Sequence, residues 1–319
     1  MLKNFSLRKI GLTSAALLAI LLLYLLSSND EKLKPEEKLE YVSSDLNMSD
    51  IFLLDKNSYV SLTKVVLTET QIENKARELL NILIIGNSDK VPNGFKAVIP
   101  PETKILSLKY DKGLIKVDFS EELLDVNEAQ EEKMIEAIVY TLTSIDDVNK
   151  VIIYVNGEIL TKLPKTRENL PSTLDRTFGI NKKYDFYKVS NITDVTIYYV
   201  NKYHGSTYYV PVTKYLNDNR DKITIIVDEL GVNFDYNTNL MSYLNEGVQL
   251  VSSSINNKTM SLEFNDYIFD DITTEKVLEE VIYTISMSAK ENYDIDEVVL
   301  KNHTKEICKI NIKKSTCKN

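Results

Sequence analysis

Glu132-Lys133-Met134-Ile135-Glu136-Ala137-Ile138-Val139-Tyr140-Thr141-Leu142 has a second, diverged copy in the same chain. It is Glu275-Lys276-Val277-Leu278-Glu279-Glu280-Val281-Ile282-Tyr283-Thr284-Ile285. Apolar residues fall at 134, 135, 138, 139 and 142 in the first copy, and at 277, 278, 281, 282 and 285 in the second. Each set is one stripe of an amphipathic helix, repeated in phase. Glu136 and Glu279 read as solvated charges on those helices.

The flanks repeat as well. Upstream of the first helix, Ile105-Leu106-Ser107-Leu108-Lys109-Tyr110 and Leu114-Ile115-Lys116-Val117-Asp118-Phe119 alternate around the polar turn Asp111-Lys112-Gly113. That pattern predicts strand, three-residue turn, strand. The second copy has Leu250 to Ile255, the turn Asn256-Asn257-Lys258, and Thr259 to Phe264. After each helix comes another apolar run, Val151 to Val155 and Val298 to Leu300. Leu62-Thr63-Lys64 recurs as Val212-Thr213-Lys214, each before a helical segment ending near Gly86 or Gly231. The chain therefore holds two copies of one unit of roughly 120 residues, the size of an independent domain. The fold class is α+β: two tandem small α/β repeats, each a mixed or antiparallel sheet packed on two helices.

Composition narrows the function. A hydrophobic fraction of 43% with 27% charged residues is that of folded protein, not of a disordered chain. The net charge is −9, and Lys3, Arg8 and Lys9 carry the only charges of residues 1–28, so the remainder stands at −12. Phosphate backbones need a basic face, so nucleic acid is excluded as a partner.

Ile10 to Leu26 is an uncharged apolar run with basic residues before it and Asp30 and Glu31 after it. With Ser27 and Ser28 it reaches the length needed for about 30 Å of hydrocarbon. The positive flank predicts that the body is exported. The long bulky core and the poor cleavage site Leu26-Ser27-Ser28 favour a retained signal anchor over a cleaved signal peptide. The expected layout is a signal anchor over 1–28, a tether over 29–50, a first domain over 51–168, a linker over 169–192 and a second domain over 193–319.

Cys308 and Cys317 are the two cysteines, and an exported compartment allows a disulfide between them. Catalytic and metal chemistry find little support. The two histidines, His204 and His303, form no triad or zinc spacing, and nine glycines supply no phosphate-cradling motif. The acid pairs Glu121-Glu122, Asp146-Asp147, Asp270-Asp271 and Asp294 with Asp296 could serve glycoside hydrolysis only across a cleft. They read instead as acids at turns and helix starts. Nothing in the chain calls for a cofactor. Tyr198, Tyr199, Tyr203, Tyr208 and Tyr209 crowd a predicted hairpin. Strand propensity explains them, and a surface for a protein partner is the competing reading.

The first repeat resembles the GerMN domain family of sporulation and germination proteins. Leu62-Thr63-Lys64, Leu79-Leu80 leading to Gly86, and Ala97-Val98-Ile99-Pro100-Pro101-Glu102-Thr103 carry the resemblance. So do Gly113, Val117-Asp118-Phe119-Ser120, Ile138 to Leu142, Val151 to Gly157 and Thr166-Arg167-Glu168-Asn169. The second repeat lacks the Pro-Pro-Glu-Thr segment, and Lys258 stands where Gly113 stood. The resemblance implies small envelope-anchored α/β units that act by assembly outside the cytoplasmic membrane. The expected function is a non-enzymatic, membrane-anchored scaffold of a sporulation or germination envelope complex. Its expected partners are the membrane, through the N-terminal helix, and other envelope or sporulation-complex proteins, with a homo-oligomer as a further option. The rival readings are an exported sensory or ligand-binding ectodomain and, further off, a wall hydrolase.

Overall fold

The computed structural model describes residues 47–232, 238–311 and 316–318. The first repeat runs β1 (Met48–Asp55), β2 (Val60–Val66), α1 (Ile72–Leu83), β3 (Phe95–Lys96), β4 (Ile105–Asp111), β5 (Leu114–Phe119), α2 (Glu128–Leu142), β6 (Lys150–Val155) and β7 (Glu158–Ile159). The chain continues through β8 (Lys183–Asp185), β9 (Thr193–Tyr203), β10 (Ser206–Leu216), α3 (Lys222–Gly231), β11 (Leu250–Asn256), β12 (Thr259–Phe264), α4 (Glu279–Asn292), β13 (Glu297–Asn302), β14 (Lys305–Asn311) and β15 (Thr316–Lys318). Each repeat is hairpin, helix, hairpin, helix, returning strand. β6 pairs parallel with β5, and β13 parallel with β12. A parallel neighbour needs a long crossover, and α2 and α4 supply it. Period-two burial of Ile115, Val117 and Phe119, and of Met260, Leu262 and Phe264, turns both β5 and β12 toward the core.

The hairpin turns are one residue tighter than the sequence suggests. Asp111 pairs with Leu114 and Asn256 with Thr259, leaving two-residue turns at Lys112-Gly113 and Asn257-Lys258. All four turn residues have φ between 45° and 87°, the geometry that matches strand twist. Lys258 adopts the same left-handed conformation as Gly113. Its carbonyl accepts the N–H groups of Asp296 and Glu297, as that of Gly113 accepts those of Asn149 and Lys150. The loop is conserved in geometry and strained at Lys258.

The helices match the repeated stripe, with different starts. α2 begins at Glu128, ahead of the repeated segment. α4 begins at Glu279, four residues later than the copy predicts, and runs on to Asn292. Asp271 accepts the N–H of Thr273 and the hydroxyl of Thr274, Asp270 and Lys276 pair across the turn, and Glu275 has φ 51°. These local bonds compete with the first helical turn and win there.

The two repeats are not independent sheets on a linker. Their first hairpins merge into one six-stranded sheet, ordered β3-β1-β2-β10, with β9 along the far side of β10 and β8 beside β10's end. The junction is the antiparallel bridge Tyr209–Leu62. Each repeat then builds a second sheet of its own, β4-β5-β6-β7 and β11-β12-β13-β14-β15. The correction has a simple cause. Val60 and Leu62 on β2, and Val210 and Val212 on β10, are buried apolar residues on strands that would otherwise be bare edges. Leu46–Asn319 is one compact unit.

The outer strands of the shared sheet are closed by side chains. Thr141 on α2 accepts the N–H of Phe52 at 3.0 Å. On β9, the Asn292 amide bonds both the N–H and the carbonyl of Thr196, Ser288 accepts the N–H of Tyr198, and Met241 exchanges two backbone bonds with Val200.

The predicted anchor over 1–28 and most of the tether lie outside the described residues. The tether's expected end at residue 50 is too late, since β1 starts at Met48. Among the described residues no helix is long and apolar enough to cross a membrane. Cys308 is buried and disulfide-bonded. The side chain of Cys317 lies outside the described residues.

Replacing Lys258 by Gly is expected to relieve the turn and stabilise the fold by about 1 kcal/mol, raising the melting temperature by about 2 °C. A thermal melt against wild type checks it, and an unchanged or lowered midpoint would contradict the strain argument.

Candidate functional site

The predicted tyrosine surface is mostly core. Tyr198 is fully buried and Tyr208 nearly so, so these two do not form a partner surface. The hairpin's alternation explains it. Tyr198 faces α4, where its hydroxyl meets Glu291, and on the opposite face the Tyr208 hydroxyl reaches across the repeats to Asp55 at 2.9 Å. Tyr209 stacks on Tyr283 with ring centroids 3.9 Å apart. Tyr203 lies against Gly94, leaving no room for a Cβ there. Tyr199 is half-buried. Exposed aromatics lie instead at Tyr184 and at Tyr187, 79% exposed, in the segment read as a linker beside the exposed Val189, and at Tyr267 in the second repeat. Tyr184 stacks on Tyr215. The run Tyr184-Asp185-Phe186-Tyr187 was the available signal, hidden by its polar surroundings.

The same segment holds the repeats together. Asn181, left-handed with φ 48°, puts its side chain between β2 and β10. Its amide donates to the carbonyls of Val60 and Pro211 at 2.8 Å each, and its oxygen accepts the N–H of Val60 at 2.9 Å. Proline has no N–H to lose at this point of β10, so one carbonyl is all that Asn181 must satisfy there. Asp55 adds a second crossing, accepting from Tyr208 and from the amide of Asn201 while holding its own turn at Asn57 and Tyr59.

Arg176 is the third. Its guanidinium pairs with Glu291 on α4 at 2.5 Å, and donates to Ser144, Thr143 and the Tyr140 carbonyl at the C-terminal end of α2. It also lies 4.7 Å over the Tyr140 ring. A cation at a helix C-terminus meets the negative end of the helix dipole. Burial alone would lower Arg176, but Glu291 outweighs it and holds the guanidinium above its usual range. Burial, then Glu291, raises the hydroxyls of Tyr140 and Tyr198, and Tyr198 donates to Glu291 at 3.2 Å.

Two carboxylates on α2 had no distinguishing mark in the sequence. Glu131 is buried and accepts the N–H groups of Lys165 and Thr166. Burial pushes it up, yet these bonds, with that of the Thr166 hydroxyl, hold it below the usual carboxylate value. It thereby pins the Thr166-Arg167 segment. Glu136, expected to be solvated, is 2% exposed and accepts the N–H of Asn181 at 3.0 Å. Burial raises it to about 7, and nearby Glu132 adds to the rise. Glu279 is exposed, as expected.

One acid in each of three pairs is tied to a neighbouring residue. Glu122 is held below its usual value by hydrogen bonding with Ser120, Asp271 by its bonds with Thr274 and Thr273, and Asp294 pairs with Lys258. His303 contacts Asp266 on the surface and His204 sits in the β9–β10 turn. Among the described residues no cluster of three or more His, Cys, Asp or Glu could hold a metal ion. In the second repeat, the cavities beside tyrosines measure about 90 Å³ at Tyr199 and about 270 Å³ at Tyr243 and Tyr267. Larger grooves, of about 620 and 420 Å³, lie in the first repeat and carry no tyrosine.

Three comparisons place this double repeat among known proteins. Residues 50–161 match the Germane family, described as "Sporulation and spore germination". The Bacillus subtilis (strain 168) protein "Spore germination protein GerM" is 32% identical over 274 residues, covering 83% of this chain and 73% of that one. The solved structure "Tandem GerMN domains of the sporulation protein GerM from Bacillus subtilis" aligns with a TM-score of 0.75 at 31% identity, over 81% of this chain and 91% of the other. The chain belongs to the GerM family.

Two stability measurements test the seam. Arg176→Met leaves Glu291 buried and unpaired and is expected to cost roughly 3–5 kcal/mol, while Arg176→Met with Glu291→Met recovers most of it. Urea unfolding of the two variants reads the difference. Glu136 has a folded value of about 7 against an ordinary 4.5, so ionisation is disfavoured in the fold. Stability is therefore full below pH 4.5 and declines as pH rises to about 7. Glu136→Gln is expected to remove that decline, as read by denaturant midpoints across the same pH range.

Proposed function

We propose that this protein is a non-enzymatic, membrane-anchored assembly protein that works outside the cytoplasm in a sporulation or germination envelope complex. The observation that carries the reading is the alignment of both repeats, not one, with the tandem GerMN domains of a sporulation protein. The site geometry supports it. The perturbed groups, Glu136, Arg176, Tyr140 and Tyr198, are engaged in contacts within and between the repeats, and groups held that way are poorly placed for chemistry on a substrate. The apolar N-terminal run of residues 10–26 is the basis for the proposed anchor.

A sensory ectodomain is the alternative reading. Small-molecule sites usually enclose about 300–1,000 Å³; the tyrosine-bordered cavities of the second repeat fall below that range, and the first-repeat grooves of about 620 and 420 Å³ lie within it. The exposed apolar side chains of Tyr184, Tyr187 and Val189 offer a surface for protein contact.

A fluorescent fusion followed through a sporulation time course tests the proposal. The expected outcome is concentration at the membranes surrounding the developing spore. A uniform peripheral signal in growing cells, unchanged by starvation, would overturn it.

A further inference from the structure

We propose that β11 is a self-association edge, where a second copy of this chain adds its own β11 antiparallel and joins two five-stranded sheets into one. This deepens the assembly reading by naming a surface and a partner, and it rests on that reading only for its biological use.

Long strand edges elsewhere in the fold are closed. β9 is covered by Asn292, Ser288 and Met241, β1 by Thr141 and β3, and β14 by β15. β4, the counterpart of β11 in the first repeat, is held by α1. Glu73 accepts the N–H of Tyr110 at 2.8 Å, and Arg77 donates to the carbonyl of Ile105 at 3.3 Å. Among the described residues β11 has no such cover. Its Leu250 is half-buried, the other six residues are exposed, and among the described residues no hydrogen bond reaches its outer edge. The cause is in α3. Glu73 and Arg77 are the second and sixth residues of α1, and the second and sixth of α3 are Ile223 and Val227, both buried. The helix has turned its guarding side chains into core.

The turn fixes which groups are free. Asn256 pairs with Thr259 across a two-residue turn. Asn256 and Ser254 therefore direct their backbone groups to β12, and Ser253 and Ile255 direct theirs outward. Tyr110 obeys the same phase, sending its N–H out to Glu73. A bulge lies between Leu250 and Ser252, so the regular ladder is Ser252–Asn256.

Charge selects the occupant. The chain carries −9 overall, yet β11 has no charged residue, whereas β4 carries Lys109 and Asp111. Two acidic copies can meet here without placing like charges opposite one another. With Ser254 on the twofold axis, Ser254 faces Ser254, Ser253 faces Ile255 and Ser252 faces Asn256. Ser253 and Ile255 exchange backbone bonds twice, and Ile255, 51% exposed in one copy, gains a neighbour. Because β4 is guarded, a head-to-tail β11-to-β4 array lacks an acceptor, and a closed dimer is the result.

Sedimentation velocity of the full-length chain over a concentration series is the test, with three variants. Wild type is expected to pass from monomer to dimer with concentration. Ile255→Lys, which sets positive charge on both edges, and Ser253→Pro, which removes an outward N–H without touching the β12 ladder, are expected to stay monomeric. Ser254→Cys is expected to give an oxidant-dependent, thiol-reversible dimer on a gel, because residues of a non-hydrogen-bonded pair are close enough to bridge. The native Cys308 is already disulfide-bonded. A wild type that stays monomeric, a Ser254→Cys chain that does not cross-link, or a dimer that survives both edge variants would overturn the proposal. None of those results touches localisation during sporulation, so the two readings fail separately.

Discussion

Two strands that share one bridge would not by themselves hold two repeats together, and Asn181 makes the junction work. β2 and β10 meet at Tyr209 and Leu62 and then diverge. At the point of divergence the backbone groups of Val60 and the carbonyl of Pro211 face a gap. A buried unsatisfied carbonyl or amide costs about 1–3 kcal/mol, so the gap must be filled by a group with both a donor and an acceptor. An asparagine side chain has that pair in a plane, and Asn181 reaches it from a left-handed backbone that asparagine tolerates better than most residues. The bond from its own N–H to Glu136 then ties the seam to α2.

The electrostatics of the seam follow from that tie. Placing Glu136 beneath Asn181 removes a carboxylate from water, and the fold tolerates it by letting the group sit close to neutrality. Arg176 and Glu291 take the other course and remain charged, because the guanidinium finds a carboxylate, two hydroxyls and a helix-terminal carbonyl in one place. Lys290 shows the consequence next door, since burial and then the charge of Arg176 pull it down. Rigid coupling of the repeats comes from these hydrogen-bonded groups more than from apolar area, which gives little orientation by itself.

The repeats have diverged in what they do with equivalent positions. Tyr140 packs edge-on against Phe52 inside its own repeat, whereas Tyr283 stacks face-to-face on Tyr209. α1 spends Glu73 and Arg77 on the edge of β4, and α3 spends Ile223 and Val227 on the core. One unit thus closes its sheet, and among the described residues the other leaves its counterpart strand uncharged and without that cover.

Much of this was legible in the residues. The period of the apolar positions set helices over Met134–Leu142 and, from Glu279 on, in the second copy, and alternation around Gly113 and Lys258 set hairpins, because local periodicity depends mainly on which face is buried. The family resemblance rested on those same local patterns. What the sequence could not carry was anything decided between distant segments. Nothing local marks Glu136 as buried and Glu279 as exposed, since both are acids in an amphipathic helix and only the neighbouring segment at Asn181 separates them. Likewise Tyr198 and Tyr208 read as surface or core with equal ease until the second repeat is laid against the first. The sequence alone determined the two repeats and their elements. Only the tertiary structure decided that their first hairpins form one sheet, because strand edges carry no side-chain signature of the partner that will satisfy them.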